Sequence, residues 1–227
     1  MPTSNPSQSL DTTFVATLSQ AATAFQGTGK RPKAQTVIAA MLEAEKVAKH
    51  QRIAYPLEAL LGHWRLCFTT LSKVNGRWRS LSTGESLQAA KGIYVPKIAQ
   101  AQISFTHPVE SEPNSPTGEI GNQIQVGSIL FRLTGPFRYP GKKNLLMFDF
   151  NEVQFSVFGK PLYSGSFRSG TQTIAVEQQA IAKLPFFAFF LITENFIAAR
   201  GRSGGLALWV RSPHIDCRIS DCRISAK

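Results

Sequence analysis

The sequence predicts a mainly β protein in which antiparallel strands close into a barrel and N-terminal α-helices pack on it. Three observations predict this. Apolar residues recur at helical spacing through the first 50 or so positions. From Gly62 the apolar period switches to two. About seven or more short strand-like runs then follow in succession with little helix between them.

Leu10, Phe14, Leu18, Ala21, Ala22 and Phe25 repeat every three or four residues. After the break "GTGKRPK", Ile38, Met41, Leu42, Glu45 and Ala48 do so again, with charges on the other side. Two amphipathic helices are expected. "AYPLEALLG" adds a turn of helix after Pro56, ended by Gly62. "WRLCFTT" then places Trp64, Leu66, Phe68 and Thr70 on one strand face and Arg65, Cys67 and Thr69 on the other. "AQISFT" sets Ala101, Ile103 and Phe105 against Gln102 and Ser104, and "SILFRLTG" sets Ile129, Phe131 and Leu133 against Leu130 and Arg132. "LLMFDFNEVQFSVFG" offers Leu146, Phe148 and Phe150, then Val153, Phe155 and Val157, with a turn or bulge at Asn151 and Glu152. Residues 107–118, rich in Pro and Ser, read as an exposed loop. Residues 174–184 read as a short helix, and 186–192, 196–199 and 206–211 as the last strands. Short strands in succession favour antiparallel closure over a parallel sheet with crossovers. The expected organisation is a helical segment over 1–53, a barrel over 54–211 and a tail over 212–227 that holds the duplication "DCRISDCRIS".

The run "FFAFFLI" is apolar on both faces: Phe187, Phe189 and Leu191 point one way, Phe186, Ala188, Phe190 and Ile192 the other. One face can enter the barrel, and the other must be covered by the helices, a partner or lipid. A barrel of about eight strands is just wide enough to be filled by side chains or to hold one small ligand. The candidate ligand-lining residues are Phe68, Phe105, Phe131, Phe148, Phe150, Phe155, Phe187 and Phe189.

Twenty-five Lys and Arg against 14 Asp and Glu give a net charge of +11, which favours an acidic partner: nucleic acid, an anionic membrane surface or an acidic protein. The cations are scattered, and no zinc-finger spacing, RNP-like strand or basic zipper accompanies them, so no nucleic-acid partner is expected. Lys142, Lys143 and Arg202 are the expected lipid head-group contacts. Cys67, Cys217 and Cys222 lack a paired spacing, which reads as a reducing compartment without a metal site. The spelling Gly-x-Ser-x-Gly at 201–205 precedes a strand rather than a helix, and so reads as a hairpin turn and not a nucleophile elbow. "GPFRYPGKK" lacks the hydroxyl of a phosphate loop, the four histidines lie far apart, and no paired carboxylates appear. Neither a catalytic residue nor a cofactor is expected. The N-terminus shows no secretory or transit pattern, and no apolar run approaches the ~20 residues of a spanning helix.

"LLGHWRLCFTT" and "ENFIAARGRSGGLALWV" carry a resemblance. They are similar to the first strand and closing hairpin of the plastid lipid-associated proteins, also called fibrillins or plastoglobulins, and the order of features matches over most of the chain. Thr193 and Ile197 depart from that pattern, standing where it has an acidic residue and an Arg. The resemblance implies a lipocalin-like barrel that binds or shields a carotenoid, quinone or other lipid at the cytoplasmic face of a thylakoid or in a plastid, in a cyanobacterial-type or trimmed plastid member. It also implies a floor brace of an Arg laid over the first-strand Trp; Gly62, Trp64 and Arg200 are the expected members, with Arg211 as second choice for the cation. A photosynthetic protein partner is a further expectation. Two rival functions remain: a bilin chromophore lyase with Arg132 and Arg168 turned inward to two propionates, and a membrane-associated scaffold that recruits an enzyme.

Overall fold

Residues 12–74, 77–79, 91–107, 116–166 and 184–212 are described by the computed structural model. Residues 108–115 of the expected loop at 107–118, most of the expected helix at 174–184, Arg168, and the tail with Cys217 and Cys222 lie outside the described residues, as does the side chain of Lys142, while Thr117 and Gly118 at the loop's end belong to a strand.

Both helices form where the spacing predicts. Helix α1 (Thr12–Gln26) buries Phe14, Leu18, Ala21, Ala22 and Phe25. Helix α2 (Ala34–Gln51) buries Val37, Ile38, Met41, Ala44 and Ala48. It stops at Arg52, whose left-handed conformation (φ 51°) turns its N–H back onto the Ala48 carbonyl. Lys49 and His50 in the last turn face the negative end of the helix dipole. No helix among the described residues is long and apolar enough to cross a membrane.

The strands are β1 (Gly62–Val74), β2 (Arg77–Arg79), β3 (Lys91–Tyr94), β4 (Ala99–Thr106), β5 (Thr117–Val126), β6 (Ile129–Arg138), β7 (Leu145–Phe148), β8 (Glu152–Val157), β9 (Lys160–Ser166), β10 (Phe186–Ile192), β11 (Phe196–Gly201) and β12 (Leu206–Arg211). Hydrogen bonding runs β5-β4-β1-β12-β11-β10-β7-β6 and returns through the β5–β6 pair, which closes an eight-strand antiparallel barrel. Strand β6 forks at the break expected near Asn151: Phe137 and Arg138 pair with β7, whereas Ile129 to Thr134 pair with β8. Across the fork the Asp149 and Asn151 amides donate to the Pro136 and Thr134 carbonyls, so the backbone stays satisfied. Beyond the ring, β8 and β9 extend the sheet as a flared apron.

The barrel wall separates two cores. Outside it, the helices cover Cys67, Phe68, Phe190, Leu191, Phe196, Ala198 and Leu208. Inside it, rings pack one against the next: Phe105 lies 5.9 Å from Phe137 and 6.0 Å from Phe189, and Phe187 lies 5.5 Å from Trp209 and 5.1 Å from Phe148. Two bulges change the alternation that the sequence suggests. One lies between Leu66 and Phe68 and sends Phe68 outward beside Cys67. The other lies between Phe189 and Leu191, so Leu191 turns outward with Phe190 while Ile192 turns in. Each bulge adds one residue to one strand, and that flips every side chain after it.

At the floor, Arg211 lies over the Trp64 ring, 4.0 Å from its centroid. Its guanidinium donates to the Leu61 and Glu194 carbonyls, and the Trp64 indole N–H donates to the Leu60 carbonyl at 2.7 Å. Gly62 has φ +116°, and a Cβ there would stand 3.1 Å from the guanidinium, so Gly62 both makes the turn and leaves room for the cation. The expected partner Arg200 is not the brace: Ile197 and Ala199 occupy the inward positions of β11, which turns Arg200 outward to α2.

Removing the brace is expected to destabilise the fold: Arg211→Ala by about 2–4 kcal/mol and Trp64→Ala by about 3–5 kcal/mol in urea unfolding. The double variant should lose less than the sum, with a coupling of about 0.5–2 kcal/mol. Strict additivity would mean that the stacked pair contributes nothing.

Candidate ligand groove between helix and barrel

Among the described residues, aromatic rings pack one against the next inside the ring, and an apolar space lies on the outer wall. A groove of about 840 Å³ runs between the end of α2 and strand β10. Ala48, Ile53, Leu145, Ala188 and Phe190 supply its apolar surface, and Lys49, Arg52 and Lys143 its cations. The small residues Ala48 and Ala188 leave space in the groove by presenting no bulk where the two elements face each other.

Two polar clips fix the walls. At one side Arg200 of β11 reaches α2 and donates Nε to Glu45 Oε1 at 2.8 Å and Nη2 to Oε2 at 2.5 Å, a two-pronged contact that Lys49 joins at 3.0 Å. Burial works against the Glu45 charge, but the hydrogen bonds from Arg200 and Lys49 outweigh it and hold the carboxyl below its ordinary value. At the other side Asn144, buried and left-handed (φ 48°), gathers the chain after α2. Its amide donates to the Ile53 carbonyl at 2.8 Å, and its oxygen accepts from the Tyr55 N–H at 2.9 Å and the Tyr139 hydroxyl at 3.2 Å. Asn tolerates this backbone conformation better than other branched residues, because its short amide bonds locally.

The candidate residues are distributed over four places. Phe105, Phe148 and Phe189 lie inside the packed ring, and the Phe189 position also meets the groove. Phe150 and Phe187 are half-buried against that interior core. Phe131 of β6 and Phe155 of the apron lie opposite each other, on the face that continues the interior row. Phe68 lines nothing internal, for the bulge places it under the helices. Of the expected head-group contacts, Lys143 reaches the groove, whereas Arg202 donates to the Leu184 carbonyl beside the β11–β12 turn. That turn is the hairpin at 201–205: the Gly201 amide donates to the Gly205 carbonyl, with Gly204 at φ +86°. Sequence reasoning missed Arg52, Asn144 and Glu45 as site residues; the one available signal was Glu45 standing on an otherwise apolar helical face.

Neither a hydrolytic nor a thiol chemistry is assembled at the groove. Cys67 lies under α1 with its sulfur 3.7 Å from the Ala21 carbonyl, and burial pushes its thiol up to about 12, which leaves no thiolate at neutral pH. Arg132 faces a separate polar cleft of about 410 Å³ that it shares with Glu119 and Glu152. No protein-family model, curated protein or solved structure matches this chain.

Asn144→Ala is expected to cost about 2–4 kcal/mol, since it strips partners from the Ile53 carbonyl and the Tyr55 amide and places Ala in a left-handed backbone. Asn144→Gly, which relieves only the backbone, should recover a minor part; full recovery would show that the amide contacts contribute little. The Glu45 contact has a defined pH dependence. Because the folded carboxyl titrates below its unfolded value, its stabilisation is complete above the unfolded pKa of 4.5 and is lost as pH falls through the depressed folded value. Glu45→Gln should therefore differ from the parent in urea midpoint near about pH 7 and approach it near about pH 3. A constant gap across that range would contradict the assignment.

Proposed function

We propose that this chain is a non-enzymatic binding protein for a hydrophobic small molecule with a polar or anionic head, such as a quinone, carotenoid or other lipid, and that it works at a membrane surface. The observation that carries the proposal is the groove: apolar walls, cations at its edge, and a volume of about 840 Å³ within the usual range for small-molecule sites. A chain or ring system would lie against Leu145, Ala188 and Phe190, while Arg52, Lys49 or Lys143 would meet a carboxylate, phosphate or carbonyl oxygen. The resemblance of the first strand and closing hairpin to the fibrillins supports the same reading and adds a thylakoid or plastid setting with a photosynthetic protein partner. The bilin-lyase alternative gains nothing from Arg132, which Glu119 and Glu152 neighbour in the polar cleft.

The test is a titration with a fluorescent fatty acid and with its alcohol analogue. Ala188→Trp, at a partly buried position on the groove wall, should weaken both at least roughly tenfold while leaving the unfolding midpoint near that of the parent. Arg52→Glu should weaken the acid by roughly fivefold or more and the alcohol little. Unchanged binding by Ala188→Trp would place the ligand elsewhere.

A further inference from the structure

Three turns meet at the end of the sheet away from the floor. The register pairs Ala99 with Val126, Val126 with Ile129, Ile129 with Val157, and Val157 with Lys160. The approach to β4, the β5–β6 turn and the β8–β9 turn therefore stand side by side, and the Phe158 amide donates to the Ser128 carbonyl at 2.9 Å to tie two of them together. Their apolar side chains point into water: Phe158 is 81% exposed, Ile98 73%, and Val126 and Ile129 48% each. Ile124 on β5, Phe131 on β6 and Tyr163 on β9 continue the patch away from the tips. A surface of this extent seldom faces water without a partner.

The β8–β9 turn is built against its own local preferences. Phe158 (φ 49°) and Gly159 (φ 74°) are its two central residues, and both hold left-handed backbone. Asn or Asp ordinarily occupies the first such position in a two-residue hairpin, and a bulky aromatic residue there is an outlier. The chain thus holds strained backbone to present an aromatic ring that is 81% exposed, a conflict that points to use rather than stability.

Among the described residues the charge at this end has one sign. Lys97 and Lys160 flank the tips and are exposed. The loop between α1 and α2 lies alongside, because the Tyr94 hydroxyl donates to the Pro32 carbonyl and Arg31 stacks over the Tyr94 ring at 5.4 Å. That loop adds Lys30, Arg31 and Lys33, all exposed. The described residues that build this end, 27–42, 91–107, 120–133 and 153–166, contain no Asp or Glu.

We propose that this end is the membrane-docking face, on which Phe158, Ile98, Val126 and Ile129 enter the interfacial layer of an anionic bilayer while Lys97, Lys160 and the 30–33 cluster meet its head groups. A projecting apolar tip ringed by cations combines the two terms that hold peripheral proteins on lipid, buried apolar area and attraction to anionic head groups. It deepens the proposed function, resting on the membrane half of that reading and being independent of whether the groove is filled. It also moves the expected head-group contacts from Lys142, Lys143 and Arg202 to Lys97, Lys160 and the 30–33 cluster.

Flotation of the full chain with phosphatidylcholine vesicles, with and without phosphatidylglycerol, tests this. The parent should float with the anionic vesicles and be released by salt. Phe158→Asn should lower the partition coefficient roughly tenfold, and Lys97→Glu with Lys160→Glu by roughly tenfold or more. Phe158→Asn should at the same time melt at an equal or higher temperature, which no folding defect would produce. An anionic-vesicle partition unchanged in Phe158→Asn overturns the docking face while leaving membrane attachment intact; a parent that does not float overturns both. A parent that is a dimer, dissociates on Phe158→Asn and does not float assigns the patch to a second copy of the chain. Fatty-acid binding by Phe158→Asn should equal that of the parent, and Ala188→Trp should float as the parent does, so failure of the groove and failure of the docking face read out separately.

Discussion

The stacking of Arg211 on Trp64 is the constraint on which the rest of the structure depends. Trp64 belongs to the first strand of the ring and Arg211 to the last residue of the last strand, and one guanidinium joins both to the carbonyls of the chain that precedes β1 and of the β10–β11 connection. The planar fork is suited to this: one face meets the indole, and the edge still donates to carbonyl oxygens. With first and last strands locked, closing the barrel costs little further chain entropy, and eight strands of modest length suffice to enclose a packed aromatic interior.

That packed interior decides where a ligand can go. Rings from β4, β6, β7, β10 and β12 pack together inside the ring, and among the described residues apolar surface also appears in the groove under α2 and on the far ends of β5 and β6 with the apron beside them. The groove is held open by specific contacts at its edges: Glu45 with Arg200 on one side and Asn144 with Ile53, Tyr55 and Tyr139 on the other. Buried polar clips of this kind hold one geometry at the expense of tolerance, because removing either partner strands the other. The apron and its tips are open, and their strained, exposed Phe158 contrasts with the settled rings of the interior.

Much of the fold was legible in the sequence, for physical reasons. Period-two alternation and the spacing of Phe14, Leu18, Ala21 and Phe25 report directly on which face is buried, and the last three strands fall where that pattern puts them. The turn at 201–205 was legible because its glycines permit left-handed backbone and the following residues alternate. The bulges after Leu66 and Phe189 were not, since an inserted residue in an apolar strand changes register without changing composition. This is why Phe68 and Leu191 face opposite to their expected directions. Trp64 is legible as the brace's ring but Arg211 is not as its cation, because the sequence shows that late-strand cations exist but not which one the twist of the sheet brings over the floor. The groove was the least legible feature: its walls come from residues 45–54, 141–145 and 188–190, which only tertiary packing brings together.

The most direct measurement is organic extraction of the protein purified from its native host, followed by mass spectrometry. A stoichiometric apolar molecule with a polar or anionic head, present in the parent and depleted in a groove-filled variant prepared the same way, is the result predicted here. Protein that emerges with no enriched lipid, quinone or pigment, or with the same molecule retained after the groove is filled, would contradict a carrier built around that groove.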